Sequence, residues 1–197
     1  MSEWDREWKD FNGPNFFGNM LYGSQKRAIS KILRYIGLKN PKIIDVGCGT
    51  GRTLVWFREF GFKNSIGVDN SKEAIKFCVK RGFKVGKDVF KKSIVKNNLK
   101  TNSFDIVFAD GVLEHFKNFE PLVKQMCRIS KKYVLITQPN HFSLYGRLLE
   151  VFTKKDVHEY SYKIKDFERV FSKYNFKLVN KWNYNFNEQW ILLFEKK

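Results

Sequence analysis

Cysteine is scarce. Cys48, Cys78 and Cys127 stand far apart with no C-x-x-C spacing, so the chain shows neither the ligand pattern of a zinc site nor the framework of a disulfide-stapled domain. All three read as small buried residues, and no metal site is expected. Long apolar runs are missing as well. No stretch approaches bilayer-spanning length, and the first ten residues alternate charge with Trp4 and Trp8 where a signal peptide would carry an apolar core. A cytoplasmic protein is the expectation. Acidic residues are the third shortage: 20 Asp and Glu face 37 Lys and Arg, a net charge of +17. Such an excess attracts polyanions by long-range attraction and counterion release, which keeps RNA open as a partner. The lysines are nevertheless spread along the edges of expected elements, as at Lys39, Lys63, Lys84, Lys117 and Lys181. That spread reads first as a solvated surface.

What is present is enough apolar material for one core, 43% of residues, with 17% aromatic, and no linker or repeat divides the chain. A single domain over 1–197 is expected, with an N-terminal cap and helix (1–40), a ligand-binding core (41–138) and a substrate-side segment ending in a β-hairpin (139–197). The organising stretch is residues 42–51, Lys-Ile-Ile-Asp-Val-Gly-Cys-Gly-Thr-Gly. Ile43, Ile44 and Val46 suit a strand buried on both faces, and Gly47, Gly49 and Gly51 permit a turn with positive φ. The spacing becomes helical from Arg52 to Phe60. A ligand can therefore lie against bare backbone at a helix N-terminus. The dinucleotide fingerprint, G-x-G-x-x-G, is not met, because the spacing here is G-x-G-x-G with Asp45 two residues ahead. An acid there repels a pyrophosphate and suits an ammonium or sulfonium.

On these residues the chain resembles the class I S-adenosylmethionine-dependent methyltransferases, in the small-molecule branch called methyltransferase type 11. The resemblance is firm over 43–138 and loose in the flanks. It implies an α/β fold with a Rossmann-like, doubly wound, seven-stranded sheet, mostly parallel with an antiparallel C-terminal strand, and S-adenosylmethionine as cofactor. Asp45, Gly47, Cys48, Gly49 and Gly51 then form the first cofactor motif. Asp69 ends a second strand twenty-four residues after Asp45, near the ~20 at which a βαβ unit places its ribose-binding acid. Asn70, with Glu73 three residues on, is expected to cap the next helix and leave Asp69 for the ribose. A third strand is expected at 83–86. The resemblance then assigns Asp88 to the adenine amino group and the Val89 backbone to a ring nitrogen; the alternative for Asp88 is a solvated turn.

The stretch Phe104-Asp-Ile-Val-Phe-Ala-Asp110, followed by Gly-Val-Leu-Glu-His-Phe116, resembles the fourth motif of methyltransferases acting on small molecules. It lacks the Asp-Pro-Pro-Tyr of base N-methyltransferases and the Pro-Cys of cytosine C5 enzymes. Asp110 is expected beside the cofactor. His115 is the candidate general base, since it follows the fourth strand and histidine titrates near neutrality; the competing reading is a packing histidine. Phe17 and Tyr22 are expected to form a lid, whereas Trp4 and Trp8 read as sealing the sheet edge within an irregular segment up to Tyr22. His141 and His158 are placed on the substrate side, with a helix between them over 142–152. The expected activity is methyl transfer to an O, N or C atom of a small-molecule acceptor. The alternatives are an RNA methyltransferase, a non-catalytic cofactor-binding regulator and a nucleotide-dependent oxidoreductase. The sequence assigns no oligomeric state.

Overall fold

Strand β1, Ile43–Val46, is buried along its whole length. In the computed structural model, which describes residues 3–9, 16–143, 158–185 and 187–197, β1 sits in the middle of a seven-stranded sheet of order β3-β2-β1-β4-β5-β7-β6. The strands are β2 (Ser65–Asp69), β3 (Val89–Lys91), β4 (Phe104–Asp110), β5 (Ser130–Pro139), β6 (Phe176–Tyr184) and β7 (Gln189–Lys196). Ile44 pairs in parallel with Ile66 on one side and Val107 on the other. The parallel run ends at β5, against which β7 lies antiparallel, and β6 pairs antiparallel with β7. This is the expected architecture, closed by the expected hairpin.

Strand alternation sends side chains to two apolar layers. Ile44, Val46, Val107, Ala109, Val134 and Ile136 face α5 (Glu120–Ile129) and α6 (Ile164–Ser172) through Met126, Phe167 and Phe171. Ile43, Ile106, Phe108 and Leu135 face α2 (Phe16–Ile36), α3 (Arg52–Glu59) and α4 (Lys72–Lys80) through Ile29, Leu54, Phe57 and Cys78. Gly37, at φ 69, ends α2 by donating to the Leu33 carbonyl. Cys48, Cys78 and Cys127 are all free and buried.

Three local expectations are corrected. The segment before Tyr22 is not irregular in the part described: α1 occupies Glu3–Lys9 and α2 begins at Phe16. The third strand is Val89–Lys91 and not 83–86. Positive-φ Gly82 and Gly86 bracket a turn that buries Phe83, and the Asp88 carboxylate closes it by accepting the Lys84 N-H at 2.8 Å. The N-cap of α4 is Ser71, whose hydroxyl accepts the Ala74 N-H, so Asn70 does not fill that role. The helix expected at 142–152 lies outside the described residues from 144 onward. Residues 92–103 form no regular element; Arg128 ties them down through the Leu99 carbonyl (2.6 Å) and Asn97 (2.9 Å).

Candidate active site

The glycine turn is wound tightly onto β2. Gly47 and Cys48 both donate to the Val68 carbonyl, and Gly51 donates to the Cys48 carbonyl as α3 begins. Gly47 has φ 71, and a Cβ there would meet Val112 Cγ2 at 2.7 Å, so a side chain at this position would be strained and would force Val112 to shift. Gly49 N-H donates to Asp69 Oδ2 at 2.9 Å and Ser71 N-H donates to Asp69 Oδ1 at 2.8 Å. Two backbone donors therefore hold the carboxylate at the end of β2. Burial raises the Asp69 pKa, although these hydrogen bonds oppose it.

Above this turn, at the C-terminal ends of β1, β2 and β4, lies a cavity of about 590 Å³, within the range of small-molecule sites. The ends of parallel strands are where open α/β sheets bind ligands. Gly47, Cys48, Gly49, Asp69, Asn70 and Asp110 line it. Cys48 contributes surface more than chemistry, because its buried thiol is packed against Gly67 and Cys78 and its pKa is driven up. Asp45 lies beneath the turn, wholly buried, hydrogen-bonded by the Thr53 hydroxyl, with its Oδ1 unpaired among the described residues. Burial pushes its pKa up to about 8. Gly51 starts α3 just outside the lining.

Asp88 and Val89 are not at the cavity. Asp88 is engaged by the Lys84 N-H and by Arg58 at 3.2 Å, and Val89 is buried in the core. Because the strand begins at Val89, the residues after it that reach the cavity are Lys92, Ser93, Ile94 and Val95.

At the other end Asp110 is the centre of a polar network that sequence reasoning missed. Its Oδ1 accepts from Gln25 Nε2 (2.6 Å) and the Thr137 hydroxyl, and its Oδ2 pairs with Arg52 Nη2 at 2.8 Å. Gln25 also donates to the Tyr184 hydroxyl. Arg52 lies over Tyr22, its Cζ 3.6 Å from the ring centroid. Burial works against this guanidinium, but Asp110 and Tyr22 outweigh it and its pKa rises. Tyr22, an expected lid residue, is thus a wall of the cavity. Phe17 falls in the first turn of α2, and its side chain lies outside the described residues.

α1 forms the roof. Trp4 and Trp8, one helical turn apart, both line the cavity, so the sheet-edge reading is corrected. Trp8 covers Gly49, where a Cβ would lie 3.0 Å from its ring. Trp4 packs edge-on against His115, with centroids 4.9 Å apart. Between the two tryptophans, Asp5 Oδ1 accepts from the Ser71 hydroxyl (2.8 Å) and Lys72 N-H (2.9 Å) at the N-terminus of α4. The i, i+4 pair with an acid inside it was the available signal.

His115 lines the cavity, and its Nδ1 is 3.2 Å from the His158 carbonyl. A carbonyl only accepts, so Nδ1 carries the proton and Nε2 keeps its lone pair in the neutral ring. His158 acts through that carbonyl; its own ring is exposed and packs on Tyr160. His141 lies behind the cavity wall, its Nε2 3.7 Å from Glu159, which does line the cavity.

A family model described as a methyltransferase domain matches residues 44–136, the span from β1 through β5 that builds this site. Over that span the chain is similar to methyltransferase domains. A sterol 24-C-methyltransferase of Aspergillus fumigatus is 25% identical over 119 residues, 58% of this chain; the match spans about a third (32%) of that enzyme's length. Among solved structures, a methyltransferase of Thermotoga maritima, described as a possible histamine N-methyltransferase, superposes with TM-score 0.69 at 22% identity, covering 89% of each chain. Magnesium protoporphyrin IX methyltransferase of Synechocystis with bound S-adenosylhomocysteine gives 0.70 at 14% identity, covering 99% of this chain and 93% of that one. At these identities the structural likeness speaks for the fold alone.

The site fits S-adenosylmethionine, the cofactor of the methyltransferases it resembles. S-adenosylmethionine carries a sulfonium and an ammonium, and Asp69 and Asp110 line the cavity on either side of the turn. Asp69 keeps lone pairs beyond its two backbone bonds for a ribose diol, and Asp110 with Arg52 presents an acceptor and a donor to an amino-acid end.

Proposed function

We propose that the protein transfers the methyl group of S-adenosylmethionine to a small-molecule acceptor, at oxygen, nitrogen or carbon. The observation that carries this reading is the Asp69 carboxylate, fixed by the Gly49 and Ser71 N-H groups at the floor of a cavity roofed by Trp4 and Trp8. Asp69 binds the ribose, Asn70 and the segment 92–95 border the adenine, and Asp110 with Arg52 and Gln25 holds the amino-acid end. When bound, the cofactor supplies a methyl group already activated for displacement. The chain's own work is then to align the acceptor in line with the bond that breaks, an effect worth roughly 7 to 11 kcal/mol without a catalytic side chain. Where the acceptor must lose a proton, His115 Nε2 takes it, the ring being oriented by the His158 carbonyl.

The roof of α1 favours a small acceptor over a polymer, since Trp4 and Trp8 close the cavity from above. The net charge of +17 supports the RNA reading. Incubation of a cell extract with methyl-labelled cofactor, followed by separation of metabolites from RNA, tests both. The expected result is label in the metabolite fraction; label confined to RNA contradicts the small-molecule reading.

A further inference from the structure

Lysines that are spread along the sequence are gathered in space. β1, β2, β3 and β4 run parallel, so the chain enters all of them at one end of the sheet, and the cavity lies at the other. Lys39 and Lys42 stand before β1, Lys63 before β2, Lys84 and Lys87 before β3, and Lys100 before β4; all are exposed. Three acids near this end are each engaged by a cation: Glu59 by Lys26, Asp88 by Arg58 at 3.2 Å and Asp105 by Lys131 at 3.1 Å. A basic face therefore stands opposite the glycine turn.

Its most exposed part is the end of α4 with the turn into β3, residues 79–87, Val-Lys-Arg-Gly-Phe-Lys-Val-Gly-Lys, which carry no acid. Gly82 and Gly86 take positive φ, and a Cβ on either would meet nothing within 4 Å, so the turn stands out into open space. Phe83 anchors it from below, buried and with Arg58 Cζ 4.0 Å from its ring centroid, while Asp88 closes it through the Lys84 N-H. The tip is thus preformed and needs little ordering on contact. None of Lys80, Arg81, Lys84 and Lys87 makes an ion pair among the described residues. Among these cations two aliphatic side chains face solvent, Val79 at 49% and Val85 at 59% exposure.

We propose that this tip docks the protein on an anionic lipid bilayer, Lys80, Arg81, Lys84 and Lys87 meeting the headgroup charges while Val79 and Val85 enter the headgroup layer. A cluster of roughly four to eight cations is what such a surface attracts, and shallow apolar insertion adds a second weak signal to the first. The composition of the tip favours lipid over RNA. Single-stranded RNA is held by exposed aromatic rings and arginine planes, whereas the one ring of this segment, Phe83, is buried and its cations are mostly lysine. Because the tip and the cavity lie at opposite ends of the strands, docking leaves the cavity open to solution. The surface places the protein and does not feed it lipid, so the inference goes beyond the function proposed above and stands without it.

The test is flotation of the full chain with vesicles of phosphatidylcholine alone and of an equal mixture of phosphatidylcholine and phosphatidylserine, at ~0.1 M salt. Partition into the anionic vesicles is expected to exceed that into the neutral ones about tenfold or more, and to fall as salt is raised. The double variant Lys84→Glu, Lys87→Glu should lose about tenfold or more of that partition, whereas Lys117→Glu with Lys124→Glu, the same charge change away from the tip, should lose less than about twofold. Val85→Ser alters no charge and should still weaken partition about threefold, so the inference is also read on a variant with the parent's electrostatics. Equal partition into both vesicles, equal losses from the two charge reversals, or an unchanged Val85→Ser overturns it. Vesicles left unbound while single-stranded RNA binds through Lys84 and Lys87 would give the face to nucleic acid and overturn it as well.

Discussion

Asp69 was legible from spacing alone, because a βαβ unit fixes the distance from a glycine turn to the end of the next strand, and the structure places it at the cavity floor. Its supporting donors were not legible; the Asn70 cap expected to release Asp69 is replaced by Ser71, and Asp69 itself accepts the Ser71 N-H. Asp69→Ala is expected to weaken S-adenosylhomocysteine binding by about 1.5 to 3 kcal/mol, measured by calorimetry; unchanged affinity would remove the ribose assignment. Asp45 and Glu114 give a second outcome at the same scale. Both stay protonated in the native state to about pH 8, whereas their unfolded counterparts ionise near 3.8 and 4.5. The folded chain thus holds more protons across that window. Their stabilising contribution is full below about pH 4 and is lost as the pH climbs towards 8, at about 1.4 kcal/mol per pH unit for each group. Thermal melts of the ligand-free protein from pH 4.5 to 8 should show a shallower decline for Asp45→Asn than for the parent. An identical slope would mean Asp45 ionises normally. Gln25, Arg52, Thr137 and Tyr184 were invisible to spacing, because their network around Asp110 joins residues 27 to 159 positions apart.

At the scale of elements, the strands with continuous apolar runs were readable, as was the helix that follows the glycine turn from Arg52. The failures share a cause. β3 is a three-residue edge strand preceded by a turn built on Asp88 and two positive-φ glycines, and a pattern of alternating Phe83 and Val85 imitates it six residues early. α1 is seven residues long and too short to stand alone; it is held by Asp5 on α4 and by two tryptophans over the cavity, none of which periodicity reports. This roof makes a kinetic prediction. Trp8→Ala removes the ring above Gly49 and should speed S-adenosylhomocysteine release roughly tenfold, the effect of losing about 1.5 kcal/mol of buried aromatic contact. Stopped-flow displacement measures it, and an unchanged release rate would show that α1 does not cover the bound ligand.

For the whole molecule, the fold class followed from strand, turn and helix order, while the charge of +17 gave no site by itself. The described residues hold no helix long and apolar enough to cross a membrane. If RNA were the acceptor, its affinity should fall steeply with salt; filter binding between 50 and 200 mM salt, roughly the range over which phosphate contacts show themselves, is expected to show only weak association, and a steep decline from tight binding would favour RNA. The account as a whole rests on which nucleoside lies across the bend between β1 and α3. Titrating the protein with S-adenosylhomocysteine and, separately, with NAD examines that directly. One equivalent of S-adenosylhomocysteine should bind and NAD should give no heat, whereas saturable NAD binding with no response to S-adenosylhomocysteine would contradict it.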